Sequence, residues 1–321
     1  MISIDKEAPL VSIVVVTYNS AEFVIETLES CKVQTYQNIE LIITDDGSAD
    51  DTVSICKKWV SENKSRFSNA EVVTVVKNTG ISANCNRGVS SANGEWIKTI
   101  AGDDALMPDC IKDNLAYINE NPDAQVIHSK RHDYQGDFQE QNFIEEYTVE
   151  HHPFGSSHIT ASKQFEILLR QVYVSAPTIF IKKSLLIEMK GFDESIPMIE
   201  DWPLWLRITS AGYKIHYLNK ATIKYRLHAA SVSSTQHQTR LISKLEERKH
   251  IVYKNYIYPN VPAFERLLYE YNFKRMKAFN YFGINKRTKF TWFLDKLTAY
   301  PVFKYRLLKD RRIVASLKKS K

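Results

Sequence analysis

The chain has 321 residues, and its 43 lysines and arginines against 37 aspartates and glutamates give a net charge of +6. Hydrophobic residues make up 44% and charged residues 25% of the sequence, which are average values for soluble globular proteins. No stretch approaches the run of about 20 apolar residues that a membrane-spanning helix needs, and the acidic, proline-containing N-terminus predicts no export signal. We therefore expect a soluble or peripheral protein.

The charge is distributed unevenly along the chain. Residues 235–321 contain 21 Lys and Arg against 6 Asp and Glu, a net charge of +15, whereas residues 1–234 carry −9. The length allows one large α/β domain with an appendage. We therefore expect a domain over residues 1–234 and a basic, helical extension over residues 235–321.

Four cysteines occur in the first half of the chain. Cys31, Cys56, Cys85 and Cys110 show no CxxC pairing, and each lies among residues that are typical of a helix or a core. Structural zinc sites favour closely spaced ligand pairs. We therefore interpret the four cysteines as reduced core thiols.

Strand and helix patterns alternate through the first hundred residues. Val11–Thr17 is a continuous β-branched run, which is typical of a strand buried on both faces of a parallel sheet. A second such run covers residues 39–44, and apolar residues at helical spacing predict a helix between the two at residues 21–34. Further elements are predicted as a helix capped by Asp50 or Asp51, a strand at residues 72–76, a helix at residues 82–92 and a strand at residues 96–100. This alternation predicts a doubly wound, mostly parallel α/β sheet.

Polar and acidic residues follow each predicted strand. Ligands bind at the carboxyl ends of the strands in sheets of this kind, so we expect these residues to share one crevice. They are Thr17, Tyr18 and Asn19 after the first strand, Asp45 and Asp46 after the second, Asn78 and Gly80 after the third, and Asp103 and Asp104 after the fourth.

The two acidic turns each have two interpretations. Asp45 and Asp46, followed by Gly-Ser, place two carboxylates on an exposed loop, and they are equally well explained as a binding site or as a helix cap and turn. Asp103 and Asp104 are adjacent carboxylates, which repel each other unless a cation lies beside them. Magnesium and manganese prefer one or two carboxylates together with phosphate oxygens. The second turn therefore indicates a metal-bridged diphosphate, with a solvated acidic turn as the alternative.

The pattern is looser beyond residue 122. We expect a strand at residues 125–128 and then a polar, aromatic stretch over residues 131–159, for which we predict a lid or an acceptor loop. Regular elements return as helices at residues 162–171, near Ser184 and from Glu200 onwards, with an apolar segment at residues 176–181.

Six segments, taken in order, resemble the family 2 glycosyltransferases of GT-A fold. They are SIVVVTYNS, ELIITDDGSADDT, NTGISANCNRG, GEWIKTIAGDDALMPD, IEDWPLWLR and YRLHAASVS, and they cover about the first 230 residues. The ordered set is highly specific, although each segment alone is weak. The resemblance implies an inverting transfer of a hexosyl or N-acetylhexosaminyl group from a nucleotide-activated sugar.

The resemblance also implies which residues bind the nucleotide. Asp46 would accept a hydrogen bond from the base, and Asp103 would contact the ribose or the metal shell. A uridine nucleotide is favoured by the resemblance alone. The other residues on this side are Thr17, Tyr18, Asn19, Asn78, Gly80, Asn86 and Arg87.

For the diphosphate, the resemblance implies a divalent cation, Mn²⁺ or Mg²⁺, held by Asp104. The turn has the form Gly-Asp-Asp-Ala, which leaves the division of labour between Asp103 and Asp104 open. His228 has a counterpart near the metal and the diphosphate, although a lone histidine is more often structural. Arg226 would offset phosphate charge.

Inverting transfer independently requires two separate acidic groups. The acceptor hydroxyl attacks the anomeric carbon opposite the leaving diphosphate, so a base is needed on one side and a cation on the other. The resemblance makes Asp201 the base, and aromatic neighbours would raise its proton affinity. Glu200 is the alternative base, and a plain helix cap is the alternative role for Asp201. Trp202 and Trp205 would stack on a sugar or belong to the core.

The basic extension has three interpretations: a solvated helical surface, a nucleic-acid-binding patch or a membrane-surface helix. We favour the third, because Lys and Arg alternate with Phe, Tyr and Leu, and anionic headgroups attract such segments. No nucleic-acid-binding module is recognisable, so we expect no nucleic-acid partner. We expect a cytoplasmic protein in peripheral contact with the inner face of the plasma membrane.

Two other classes of function share part of this pattern. A dinucleotide-dependent oxidoreductase would have the same α/β alternation, but the Gly-x-Gly-x-x-Gly turn after the first strand is absent. A catalytically silent sugar- or nucleotide-binding module would have the same fold, whereas the intact acidic residues favour catalysis. The resemblance implies that the acceptor is a hydroxyl of a glycan or of a lipid-linked molecule. It also implies that the enzyme takes part in the assembly of lipopolysaccharide, capsule or exopolysaccharide.

Overall fold

The computed structural model describes residues 8–150, 152–228, 244–286 and 288–318. Within these ranges nine strands form one sheet, and ten α-helices lie in the chain between and after them. The strands are β1 (Val11–Thr17), β2 (Ile39–Asp45), β3 (Ala70–Thr74), β4 (Trp96–Ala101), β5 (Ala105–Leu106), β6 (Val126–Gln135), β7 (Phe143–Tyr147), β8 (Phe180–Lys182) and β9 (His216–Leu227). The helices are α1 (Val24–Lys32), α2 (Thr52–Asn63), α3 (Ile81–Ser91), α4 (Cys110–Glu120), α5 (Ala161–Leu168), α6 (Lys183–Glu188), α7 (Asp201–Ser210), α8 (Lys244–Val252), α9 (Ala263–Tyr281) and α10 (Lys289–Lys318).

The first four strands form the parallel half of the sheet. Their spatial order is β3-β2-β1-β4, so β1 lies between β2 and β4 with both neighbours parallel to it. Thr17 is in register with Asp45, and Val16 with Ala101. The chain therefore leaves three adjacent strands at the same edge, which brings the loops after them together.

The second half of the sheet is mixed. β8 runs antiparallel to both β4 and β6, β9 runs parallel to β6, and β7 pairs with β6 as an antiparallel hairpin. The predicted α/β sheet is present, and its parallel character is confined to β1–β4 and to the β6–β9 pair. Part of the stretch at residues 131–159 is regular structure, because β6 continues to Gln135 and β7 follows it.

Two hydrophobic clusters pack on opposite faces of the sheet because side chains alternate along each strand. Ile13 and Val15 of β1 belong to one cluster with residues of α1, α2 and α4, and Val14 belongs to the other with residues of α3, α5 and α7. All four cysteines are buried and free. The prediction of core thiols is therefore confirmed.

The C-terminal helices pack on the body of the protein. Val252, Ile257 and Tyr269 are buried in the same cluster as Trp202 of α7, and the fully buried Glu265 of α9 pairs with Arg170 at 3.3 Å. The predicted domain boundary between residues 234 and 235 lies outside the described residues. Within the described ranges, no helix combines the length and apolar character that crossing a membrane requires.

Candidate active site

One cavity contains two of the three acidic pairs that the sequence singles out. It has a volume of ≈ 460 Å³, and its wall includes Asp103 and Asp104 after β4 and Glu200 and Asp201 at the start of α7. Most of the other lining residues are apolar: Val16, Ile81, Cys85, Ile100, Ala101, Ala176, Pro177, Ile179, Ile181, Leu186, Phe192, Met198, Leu204 and Trp205. Two pairs that are far apart in the chain therefore share one largely apolar cleft.

Asp104 is almost completely buried, at 1% exposed. Its carboxylate accepts a hydrogen bond from the backbone N–H of Arg226 at 3.0 Å, and its backbone carbonyl accepts one from the Thr27 hydroxyl at 2.6 Å. Burial, together with the charge of Asp103, raises the pKa of Asp104 well above its usual value. A cation beside this turn would relieve both the burial cost and the repulsion.

Asp103 and His228 lie side by side at the same turn, since Oδ2 of Asp103 is 3.0 Å from Nε2 of His228. The ring of His228 also packs against Phe23, with ring centroids 4.6 Å apart. The described residues hold no group of three or more His, Cys, Asp or Glu side chains arranged to bind a metal ion. The two carboxylates nevertheless fit Mg²⁺ or Mn²⁺, which take one or two carboxylates and complete their shell with phosphate oxygens and water.

Arg226 holds this turn in place from β9. Its Nε donates to the Asp103 carbonyl at 2.7 Å, and its other nitrogens donate to the Gly136 carbonyl and the Glu26 carboxylate. The guanidinium lies between two aromatic rings, 4.7 Å from Phe23 and 4.1 Å from Phe138. The side chain is 2% exposed, and its hydrogen bonds to three segments give it a positioning role at this turn.

Asp46 connects β2 to the loop before α3. Its carboxylate accepts hydrogen bonds from the Thr79 and Gly80 backbone N–H groups and from the Thr79 hydroxyl, at 2.6 to 3.1 Å. Arg87 pairs with it at 3.0 Å. These donors lower the pKa of Asp46 even though burial raises it. In this structure Asp46 orders the loop that contains Asn78 and Gly80.

The end of β1 is tied to the loop after β2. Thr17 donates its hydroxyl to Asp45 at 2.9 Å, and the Asn19 side chain accepts the Ala49 N–H at 2.8 Å. Asn19 adopts a positive φ of 50°, which this residue type tolerates better than most. Tyr18 is 50% exposed. Thr17 ends β1 and is buried, whereas the exposed ring of Tyr18 is open to a ligand.

Asn86 and Arg87 lie on α3 and contact different neighbours. The Asn86 amide donates to the Phe192 carbonyl at 2.9 Å and accepts the Phe192 N–H at 2.8 Å, whereas Arg87 bonds to Asp46. A Cβ at Gly191 would lie 2.4 Å from the Asn86 oxygen, and Gly191 has φ 65°. Asn86 therefore fixes the turn that leads towards Glu200.

Glu200 and Asp201 begin α7 beside the cavity. Burial, followed by the charge of Asp201, raises the pKa of Glu200 to about 7. Burial also raises the pKa of Asp201, whereas the Trp202 N–H, 2.7 Å from its Oδ1, lowers it. This donor stabilises the charged form of Asp201. Trp202 and Trp205 are themselves buried, and the Trp202 indole donates to the Leu168 carbonyl at 2.8 Å, so both belong to the core.

Comparison with known proteins identifies the family. Residues 12–188 match the model of "Glycosyl transferase family 2", which is more than half of the chain. The chain belongs to this family. The match confirms the resemblance seen in the ordered segments, and this glycosyltransferase is an enzyme of the transferase class.

Known relatives resemble the glycosyltransferase over most of its length. It is 27% identical over 231 residues to the Escherichia coli UDP-Glc:alpha-D-GlcNAc-diphosphoundecaprenol beta-1,3-glucosyltransferase WfaP, covering 71% of this chain and 81% of WfaP. The structure of S. aureus TarS 1-349 in complex with UDP-GlcNAc matches with a TM-score of 0.59 at 19% identity, covering 95% of this chain and 81% of that one; another TarS chain is covered to 42%. The mannosyltransferase PcManGT of Pyrobaculum calidifontis, in complex with GDP-Man and Mn²⁺, matches with a TM-score of 0.54 at 14% identity, covering 98% and 77%. The GT-A fold predicted from the sequence is thereby confirmed.

The sequence patterns did not indicate the role of Lys98 in the glycosyltransferase. This lysine is fully buried in β4, and its Nζ donates to the Pro177 and Ile179 carbonyls at 2.5 and 3.1 Å. Burial lowers its pKa to about 8. Both carbonyl residues line the cavity, so Lys98 shapes the cavity wall. The available signal was a lysine in the middle of an otherwise apolar strand.

Glu200→Gln should stabilise the glycosyltransferase at high pH. The pKa of Glu200 rises from 4.5 to about 7 on folding, so the folded state holds the proton more tightly and wild-type stability falls as the pH rises through this window. Because one pKa unit corresponds to about 1.4 kcal/mol and solvent screens part of the charge, we expect the variant to be about 1–2 kcal/mol more stable than wild type at pH 8. Thermal unfolding at pH 8 and pH 5 measures this.

At pH 5, just above the ordinary pKa of 4.5, the difference should be smaller, and below that pKa it should disappear because both states are then protonated. Glu62→Gln, at an exposed position on α2, serves as the matched control and should show no difference at either pH. A gain in stability that is equal at pH 5 and pH 8 would show that packing, and not the buried charge, is responsible.

Proposed function

We propose that this glycosyltransferase moves a hexosyl or N-acetylhexosaminyl group from a nucleotide sugar to an acceptor hydroxyl with inversion at the anomeric carbon. The observation that carries the proposal is the single cavity lined by both Asp103–Asp104 and Glu200–Asp201. In-line displacement needs a base and a site for the leaving diphosphate on opposite sides of one sugar. This cavity has one acidic pair after β4 and a second at the start of α7. One pair can therefore act as the base while the other binds the cation of the leaving diphosphate.

Asp201 is the general base in this proposal. The hydrogen bond from the Trp202 N–H stabilises its charged form, and its charge contributes to the raised pKa of the neighbouring Glu200. The apolar lining excludes water, which strengthens the basicity of the carboxylate. Glu200 has a raised pKa, and its protonation state changes the basicity of Asp201.

The leaving group is placed at the turn after β4. Asp103 and Asp104 would hold Mn²⁺ or Mg²⁺, and the cation would neutralise charge that develops on the diphosphate. Arg226 fixes the geometry of the turn through the Asp103 carbonyl and the Asp104 carboxylate. His228 hydrogen-bonds to Asp103 and orients it.

The nucleoside would bind at the ends of β1 and β2. The exposed ring of Tyr18 offers a stacking surface, and Thr17 and Asn19 set its position through their bonds to the loop after β2. Asp46, Asn78, Gly80 and Arg87 form the adjoining wall. On nucleotide binding, Asp46 would give up one of its present hydrogen bonds and accept one from the nucleotide base instead. A uridine base is supported by the UDP-Glc in the name of WfaP and by the UDP-GlcNAc complex of TarS.

The acceptor is proposed to be a hydroxyl of a glycan, carried on a lipid or on a polymer. The name of WfaP gives a GlcNAc-diphosphoundecaprenol as its acceptor, and an acceptor of this kind would fit assembly of lipopolysaccharide, capsule or exopolysaccharide. Such acceptors lie at the inner face of the plasma membrane, so we propose that the enzyme works there as a peripheral, cytoplasmic protein.

The proposal is tested by a donor panel. Purified protein is incubated with common UDP- and GDP-sugars, with and without Mn²⁺, and both thermal stabilisation and release of the nucleoside diphosphate are measured. We expect one nucleotide to stabilise the protein by several degrees in a metal-dependent manner. With a glycan acceptor present, its sugar should be transferred to the acceptor and the nucleoside diphosphate released. Stabilisation without any turnover would favour a silent sugar-nucleotide-binding module, and no response from folded protein would overturn the proposal.

A further inference from the structure

Helix α10 has two apolar faces. One face packs on α9: Leu294 lies in a cluster with Met276 and Phe279, and the Thr298 carbonyl accepts a hydrogen bond from Tyr271 at 2.9 Å. Val302 on this face is 4% exposed. The side of α10 that carries these three residues is therefore the side that packs on the rest of the protein.

The opposite face carries large apolar side chains that the body of the protein leaves exposed. They recur at intervals of three or four residues, which places them on one side of a helix. Their exposed fractions are 69% for Phe290, 59% for Phe293, 61% for Leu297, 55% for Tyr300, 62% for Phe303 and 40% for Leu307. We call this row the outer face of α10. A soluble monomer rarely exposes a continuous apolar strip of this kind without a use for it.

Cations border the outer face throughout. Lys289, Lys296 and Lys304 are exposed, and the ammonium groups of Lys296 and Lys304 lie 5.7 Å from the ring centres of Trp292 and Tyr300. The sole carboxylate between residues 289 and 309 is Asp295, which pairs with Arg275 at 2.5 Å. Within residues 289–309, the outer face therefore combines aromatic rings with positive charge, and the one carboxylate is already paired with Arg275.

We propose that the outer face of α10 docks onto an anionic lipid bilayer. Aromatic rings prefer the boundary between headgroups and acyl chains, and lysines beside them reach the phosphates. A second copy of the chain is a poorer fit for the same surface, because pairing two outer faces would bury lysines against lysines. Charge complementarity thus selects a negatively charged lipid surface.

The docking orients the active site. α9 and α10 are connected to the catalytic body through the buried Glu265, which accepts a hydrogen bond from Tyr305 of α10 at 2.9 Å and pairs with Arg170, two residues after α5. Tyr256 adds a hydrogen bond to Asp193 at 2.6 Å, in the turn before α7. The choice of the cytoplasmic leaflet rests on the proposed function, whereas the docking surface does not.

The test is co-sedimentation of the full chain with vesicles of phosphatidylcholine, with and without phosphatidylglycerol. Wild type should bind the anionic vesicles at least about tenfold more strongly than the neutral ones, and high salt should reduce the difference. The triple variant Phe293→Ser, Leu297→Ser, Phe303→Ser and the triple variant Lys289→Gln, Lys296→Gln, Lys304→Gln should each bind at least about tenfold more weakly. The matched control Val33→Ser, Ile144→Ser, Ile187→Ser removes exposed apolar side chains from the catalytic body and should bind like wild type.

Light scattering in the absence of lipid measures the oligomeric state, and so tests whether a second copy of the chain binds the outer face instead. Wild type could be a dimer that fails to bind vesicles, and the apolar triple variant could be a monomer. That result would show that a second copy of the chain, and not a bilayer, covers the outer face. Equal binding by wild type and both outer-face variants would also overturn the proposal. Thermal stabilisation by nucleotides is read on the same variants and should be unchanged, so failure of docking and failure of the proposed transferase activity are told apart.

Discussion

Asp201→Asn should lower kcat for sugar transfer by about 10³-fold, which is within the range for loss of a positioned general base. The amide keeps the shape of the side chain and can still accept the Trp202 N–H, but it has no basic lone pair of comparable strength. Because Asp201 is proposed to contact the acceptor, donor binding should change by less than about twofold. Initial rates with the donor chosen by the panel, and thermal shifts with its nucleotide, measure the two quantities separately.

Glu200→Gln is the matched variant, one residue away on the same wall. Ionisation of Glu200 with a pKa of about 7 places a second negative charge beside Asp201 and makes it a stronger base, so the wild-type rate should rise as the pH passes through about 7. The Gln variant should lose less than about tenfold in kcat and should lack this rise. The reverse pattern, with the large loss in Glu200→Gln and a small one in Asp201→Asn, would assign the base to Glu200.

The parallel half of the fold follows closely from local sequence. β1 was predicted with its observed bounds, because a continuous β-branched run has few alternatives to a buried parallel strand. The acidic turns were placed correctly for the same reason, since a strand that ends at Asp45 or Ala101 leaves the next residues at the carboxyl edge. Periodicity therefore indicated where the polar loops lie.

Periodicity did not indicate which distant residues meet. Asp104 and Asp201 line one cavity because α7 packs against the sheet. No local pattern predicts that these two residues lie near each other. The prediction came from the ordered family segments. Asn86 illustrates the same limit. The resemblance predicts that it lies on the nucleotide side, and no local pattern indicates that its amide bonds to the Phe192 backbone, 106 residues further along the chain.

Polar strands are a second limit. Residues 131–135 were assigned to a loop because their apolar content is low, yet they extend β6. Ion pairs take the place of hydrophobic contacts there: Lys130 pairs with Glu146 at 2.9 Å, and Arg131 with Asp133 at 2.7 Å. Arg226 in β9 is a similar case, because its burial depends on acceptors from three different segments.

Asp104→Asn should abolish the metal-dependent part of donor binding and lower kcat/KM by about 10²–10³-fold, since a cation contributes several kcal/mol to stabilising the leaving charge. The amide can still accept the Arg226 backbone N–H, which Asp104 accepts at 3.0 Å, so the turn should keep its shape. It removes one anionic oxygen donor, which hard cations require. The measurement is thermal stabilisation by UDP over a manganese titration, together with initial rates at saturating metal.

Asp109→Asn provides the control five residues further on. That side chain is about half exposed, at 51%, and lies outside the cavity, so the same change of charge should leave both the metal titration and the rate unchanged. If Asp104→Asn lowers nucleotide binding equally with and without manganese, its carboxylate orders the turn and does not hold the cation. Loss that appears only in the presence of manganese identifies Asp104 as the ligand, because the deleted charge then matters only when the cation is bound.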